Sequence, residues 1–162
     1  MSYYETAQVC LNGHVITDNY ERSPELRKSF CIKCGQPTII QCPSCNANIQ
    51  GDYHVEGVVC LRASEPTAHA YCHNCGKPYP WTETNLKAIS ELLELDEQLQ
   101  KSDVEIMKDI LPDLITDTPK SKVAEAKYKI VMRKAGKATT EAVKELIIGI
   151  ASETIKKSLF GA

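Results

Sequence analysis

Four short segments in the first half of the chain carry residues suited to holding a soft or borderline metal ion. They are Cys10 with His14 in CLNGH, Cys31 with Cys34 in CIKCG, Cys42 with Cys45 in CPSCN, and Cys72 with Cys75 in CHNCG. Cys-x-x-Cys forms a tight turn that aims two sulfurs at one ion about 2.3 Å away. The next residue often needs a positive φ, which Gly adopts freely and Asn tolerates better than most. Gly35, Asn46 and Gly76 hold those positions, Asn46 where Gly is usual, and Gly13 lets the chain turn before the His14 imidazole.

Four pairs make two four-ligand sites. Residues 35–41, between the two central pairs, are too few for both to close comfortably on one ion, so two metals are expected. The simplest assignment is sequential: Cys10, His14, Cys31 and Cys34 for the first, Cys42, Cys45, Cys72 and Cys75 for the second. A cross-braced arrangement stays open, because pairing does not follow from spacing. Zinc is the expected metal, as two structural ions. A nitrogen ligand in the first set disfavours iron, and the all-cysteine second set suits zinc as well as it suits a rubredoxin-like iron.

Cys60 is the odd thiol. In DYHVEGVVCLR the alternation predicts a strand with Tyr53, Val55, Val59 and Leu61 on one face, leaving Cys60 as a small hydrophobe on the other. His54, His69 and His73 read as surface or half-buried residues rather than ligands.

The pattern CLNGH…FCIKCG…CPSCN…YCHNCG resembles the double zinc ribbon of many prokaryotic proteins. With KPYPWTE and the tail that follows, it resembles an uncharacterised bacterial family known only as a domain of unknown function. The resemblance implies structural zinc and a protein-binding or nucleic-acid-binding module, and it carries no catalytic residues to transfer.

The elements that must position these ligands divide the chain. All eight cysteines and all four histidines precede Trp81, and from Glu83 onward the text is Leu, Ile, Lys and Glu at helical spacing. The expected fold class is α+β: an N-terminal double zinc ribbon of small β-hairpins (1–81), then a C-terminal three- to four-helix domain (82–162). The predicted helices start at Thr82 or Thr84, at a Ser102–Glu105 capping box closed by Pro112, at Thr118–Pro119 with a stop at Gly136, and at Thr139 or Thr140. Leu86, Ile89, Leu92 or Leu93, Leu95 and Leu99 form the first apolar stripe. The last helix carries Val143, Leu146, Ile147, Ile150 and Ala151, drifting towards Ile155 and Leu159. Tyr79 and Trp81, at the joint, are expected to pack as a wedge.

The 162 residues carry a net charge of -2, unevenly spread: residues 83–117 carry -7, residues 118–162 carry +6, and the ribbon half carries -1. A near-neutral ribbon gives phosphate little to bind. The run 120–137, with seven bases against Glu125, is the one nucleic-acid candidate. No run of about 18 apolar residues and no signal-like start are present, so a cytoplasmic protein is expected. Membrane contact through 140–160 is disfavoured by Glu141, Glu145 and Glu153. Closed four-ligand sites, with no Ser/His/Asp order or phosphate-cradling loop, point away from an enzyme. The expected role is a zinc-built adaptor or scaffold that binds another protein, or a second copy of itself, through the helical tail or the ribbon edges.

Overall fold

The computed structural model describes residues 1–62 and 64–161 and divides into two compact units, Met1–Glu83 and Thr84 onward. The first is built from short antiparallel strands. Strand β1 (Ser2–Thr6) pairs with β5 (Gln50–Val55), while β2 (Gln8–Cys10) lies between β3 (Val15–Thr17) and β4 (Thr38–Ile39). Strands this short bury little on their own. Ala7, Val9, Ile49, Tyr79 and Trp81 form one small core, which takes in Cys42 and Cys72 as well. Tyr79 and Trp81 stack with ring centroids 4.6 Å apart, and Trp81 Nε1 donates to the carbonyl of His69 at 2.8 Å. The wedge is thus interior packing of the ribbon unit.

The alternating run after Gln50 ends sooner than its pattern predicts. Gly57, at φ +78°, turns the chain after Val55, and Val59, Cys60 and Leu61 lie outside any strand, exposed. Alternation marks residues that fit a strand, but a strand needs a neighbour's hydrogen bonds, and β1 offers a partner only as far as Val55. Arg62 ties the far end of this excursion down by ion pairs to Asp18 and Asp52.

The second unit is helical, with five helices among the described residues rather than three or four: α1 (Pro80–Leu95, which begins in the first unit), α2 (Lys101–Ile115), α3 (Ser121–Met132), α4 (Lys137–Ile150) and α5 (Glu153–Phe160). Helix α1 starts at Pro80, whose missing N–H costs nothing at a first position. Thr82 is therefore inside it, buried, with its hydroxyl donating to the carbonyl of Ala70 at 2.7 Å. Leu95, expected on the apolar stripe, is exposed.

Helix α2 opens two residues earlier than the Ser102–Glu105 pattern suggests, with Gln100 rather than Ser102 at the N-cap. The Asp103 carboxylate accepts from the Gln100 N–H at 3.2 Å and pairs with Lys134 at 2.7 Å. Pro112 does not close it. It sits on the solvent face, where water can reach the Lys108 carbonyl that lost its donor, while Leu111, Leu114 and Ile115 carry the buried stripe onward. Gly136 has φ -63° and starts α4 rather than stopping α3. The final apolar run is broken at Ser152, whose N–H donates to the carbonyl of Ile115 and whose Oγ accepts from the N–H of Ile155. Helix α5 then folds back: Ile155 is buried, Phe160 meets Tyr128 edge-on at 6.1 Å, and Ile148 and Leu159 are half-covered. No helix among the described residues is long and apolar enough to cross a membrane.

Candidate metal centres

Each ligand pair sits at a tight turn closed by two backbone hydrogen bonds of its first cysteine, and three of the four turns share one pattern. In the second, third and fourth pairs the N–H of the first cysteine donates to the carbonyl five residues on, and its own carbonyl accepts from the residue after the second cysteine. These are Cys31 with Gln36 and Gly35, Cys42 with Ala47 and Asn46, and Cys72 with Lys77 and Gly76, all at 2.7–2.9 Å. Single antiparallel bridges, Phe30–Pro37, Gln41–Asn48 and Tyr71–Pro78, close them. The turn requires the left-handed backbone at its last residue, and Gly35 (+73°), Asn46 (+61°) and Gly76 (+71°) adopt it. Asn46 therefore makes the same knuckle as the two glycines. In the first pair Gly13, at φ +89°, turns the chain between β2 and β3.

The structure brings the pairs together sequentially. Cys10, His14, Cys31 and Cys34 form one group, Cys42, Cys45, Cys72 and Cys75 the other, and within each the candidate ligand atoms all lie within 4.8 Å of one another. The chain between the pairs explains this grouping. Strand β4 follows the second knuckle and pairs with β2, the strand bearing Cys10, which sets those two tips face to face.

The distances test the fit to a metal. A tetrahedron with zinc–sulfur bonds near 2.3 Å has sulfur–sulfur edges of about 3.8 Å, and with a zinc–nitrogen bond near 2.05 Å its sulfur–nitrogen edges are about 3.6 Å. The observed edges are 3.7 Å for Cys10–Cys34 and Cys45–Cys72 and 3.8 Å for Cys42–Cys75. His14 Nδ1 lies 3.5 Å from Cys10 Sγ and 3.6 Å from Cys31 Sγ. A disulfide needs sulfurs about 2.05 Å apart, so these are ligand spacings, not oxidised pairs. Both groups fit a four-coordinate zinc, the first through the Nδ1 nitrogen of its histidine.

Polar groups beside the sulfurs favour the thiolate form that a metal requires, and they prevail at Cys45 and Cys72, whereas burial pushes the Cys10 thiol up. The backbone N–H groups of His14 and Asn74 donate to Cys10 and Cys72 at 3.3 and 3.4 Å. The Asn74 side chain, 3.5 Å from Cys45 Sγ, is the main cause of that thiol's depressed pKa. At Cys72 the backbone N–H of Cys75 leads in pulling the thiol down to about 6. Burial and the Cys72 sulfur hold the Tyr79 phenol protonated. The Asn74 side chain escaped the sequence reading, since it is not a ligand type and only the fold sets it against Cys45, while Tyr79, expected only as packing, also meets the Cys72 sulfur.

The remaining candidates lie elsewhere. Cys60 is exposed and belongs to neither group. His73 is exposed, His54 accepts from Arg22 Nη1 at 2.8 Å and touches the Tyr3 ring, and the recorded contact of His69 is through its carbonyl.

The sequence matches, over residues 3–159, a family described as "Uncharacterized protein conserved in bacteria (DUF2321)", and the chain belongs to that family. No curated protein and no solved structure matches it.

Proposed function

We propose that this member of a bacterial family is a zinc-built adaptor whose two ions are structural and whose ribbon unit presents apolar side chains to a protein partner. The observation that carries this reading is the contrast between closed ligand sets and open apolar surface. Each set already supplies four protein ligands, which leaves no position for a water or a substrate. Large apolar residues meanwhile stand in solvent on the same unit. Ile32, inside the second knuckle, is 88% exposed and Leu61, on the excursion after β5, is 94% exposed, with Phe30 and Val59 also exposed. Such residues hold no part of the core, and burying them against a partner would be favourable at roughly 25 cal/mol per Å².

The ions supply folding energy here rather than chemistry, because a core of seven buried residues is small for a unit of this length. The charges point the same way, since a ribbon half at -1 gives a polyanion no electrostatic attraction.

The test is affinity capture from bacterial lysate with the zinc-loaded full chain, in parallel with Ile32→Asp and Leu61→Asp. The expected result is a protein retained by the unsubstituted chain and lost with either variant, at unchanged zinc content. A chain that retains nothing protein in nature, and instead holds nucleic acid in a salt-sensitive way through residues 120–137, would replace this reading with the nucleic-acid one.

A further inference from the structure

A second interaction surface lies wholly within the helical unit and is argued from different residues. Helix α3 turns Ala124, Tyr128 and Val131 inward, and its opposite face carries Val123, 57% exposed, and Ile130, 56% exposed, with Ala126 between them. Lys127 lies on one side of this apolar line and Lys122 and Lys129 on the other, by the helical period. The neighbouring helix shows the opposite sign. Helix α2 buries Met107, Ile110, Leu111 and Leu114, and outward it presents Glu105, Ile106 and Asp109.

The opposed charge of the two halves suggests that they neutralise one another inside the chain. They do so, among the described residues, only at Lys134–Asp103. Among the described residues Glu105, Asp109, Lys127 and Lys129 make no ion pair, while Lys122 is drawn to Glu125 and Ser158. Two stripes of opposite sign, the basic one centred on an apolar line and the acidic one flanked by Ile106, are thus left facing solvent on consecutive helices joined by residues 116–120.

We infer that these stripes dock on each other between two copies of the chain, α2 of one on α3 of the other. A two-fold rotation that makes this contact makes it twice, so acid meets base reciprocally and Ile106 meets the Val123–Ile130 line. Charge complementarity selects this occupant over a polyanion. Packed helices lie about 8–10 Å apart, close to the Debye length of about 10 Å at 0.1 M salt. Phosphates laid along α3 would therefore feel the unpaired carboxylates of α2, and they would leave Val123 and Ile130 without an apolar partner.

Sedimentation of the zinc-loaded full chain at about 0.05 M and about 0.5 M salt tests this, because ion-pair steering weakens as screening grows. The expected result is a dimer at low salt that dissociates at high salt. Lys127→Glu with Lys129→Glu, or Glu105→Lys with Asp109→Lys, weakens association by about tenfold or more, since each leaves like charges opposed. All four residues are surface positions, and circular dichroism checks that the variants keep their helix content. Mixing the two charge-reversed chains restores a dimer, because one is then acidic on both stripes and the other basic on both. A chain monomeric at low salt, or a dimer indifferent to both reversals, overturns the inference. So does a monomer that binds duplex DNA or RNA through Lys127 and Lys129.

Discussion

Gly13 lies directly against Trp81: a Cβ placed on Gly13 would stand 3.0 Å from both Cβ and Cγ of the tryptophan. The turn that presents His14 is therefore also a packing contact of the ribbon core, and Gly13 is held to glycine by its φ of +89° as well as by this contact. Gly35 shares the positive φ but has nothing within 4 Å of its Cβ position. Gly35→Ala should cost about 1 kcal/mol from backbone strain alone, and Gly13→Ala about 2 kcal/mol or more. Chelator-competition titrations should show zinc loss from the first site in Gly13→Ala before any loss in Gly35→Ala.

Elemental analysis of the purified chain should return two zinc per molecule. On treatment with a strong chelator the ribbon unit should unfold, while the helical unit keeps its circular dichroism signal. The latter's core, with Ile89, Leu93, Met107, Leu114, Val143 and Ile147 buried, contains no metal ligand.

Cys60 should be the one thiol open to alkylation in the native protein. Mass spectrometry after brief iodoacetamide treatment should show a single adduct on the zinc-loaded chain and eight after chelation in denaturant. Cys60→Ser should retain both ions, and His14→Ala should lose or weaken one.

Asn46→Gly should leave the third knuckle intact and match or exceed the native stability, because Gly adopts φ +61° without strain. Asn46→Val should cost about 2 kcal/mol and weaken the second zinc, a branched side chain being poorly tolerated there. Thermal unfolding with zinc present reads both.

Lys134 leads in holding the Asp103 carboxyl below its ordinary range, with the Gln100 N–H adding to it. A depressed folded pKa contributes stability that is present above the unfolded value, near 3.9, and is lost as pH falls through the folded one. Asp103→Asn should lower helical-unit stability at neutral pH, and the deficit should narrow as pH falls below about 4. Denaturant titrations across that range measure it.

Ligand types and their spacing determined the local chemistry, because a knuckle is closed by hydrogen bonds within six residues. The turns at Gly35, Asn46 and Gly76 and the division into a cysteine-rich and a helical half were all legible for that reason. So was the helical character of the second half, since a buried stripe repeats with the helical period. Which tips face each other, where helices stop and what is exposed depend on partners distant in sequence. Strand β4 had to find β2 before the sequential grouping existed, and the lack of a partner beyond Val55 left Cys60 and Leu61 in solvent. The Ser152 N–H bond to Ile115 split one apolar run into α4 and α5. Pro112 stayed helical because its face met water, and the Asn74 side chain met the Cys45 sulfur only through the fold. Hydrogen bonds and burial of this kind join residues tens of positions apart, and local spacing holds no information about them.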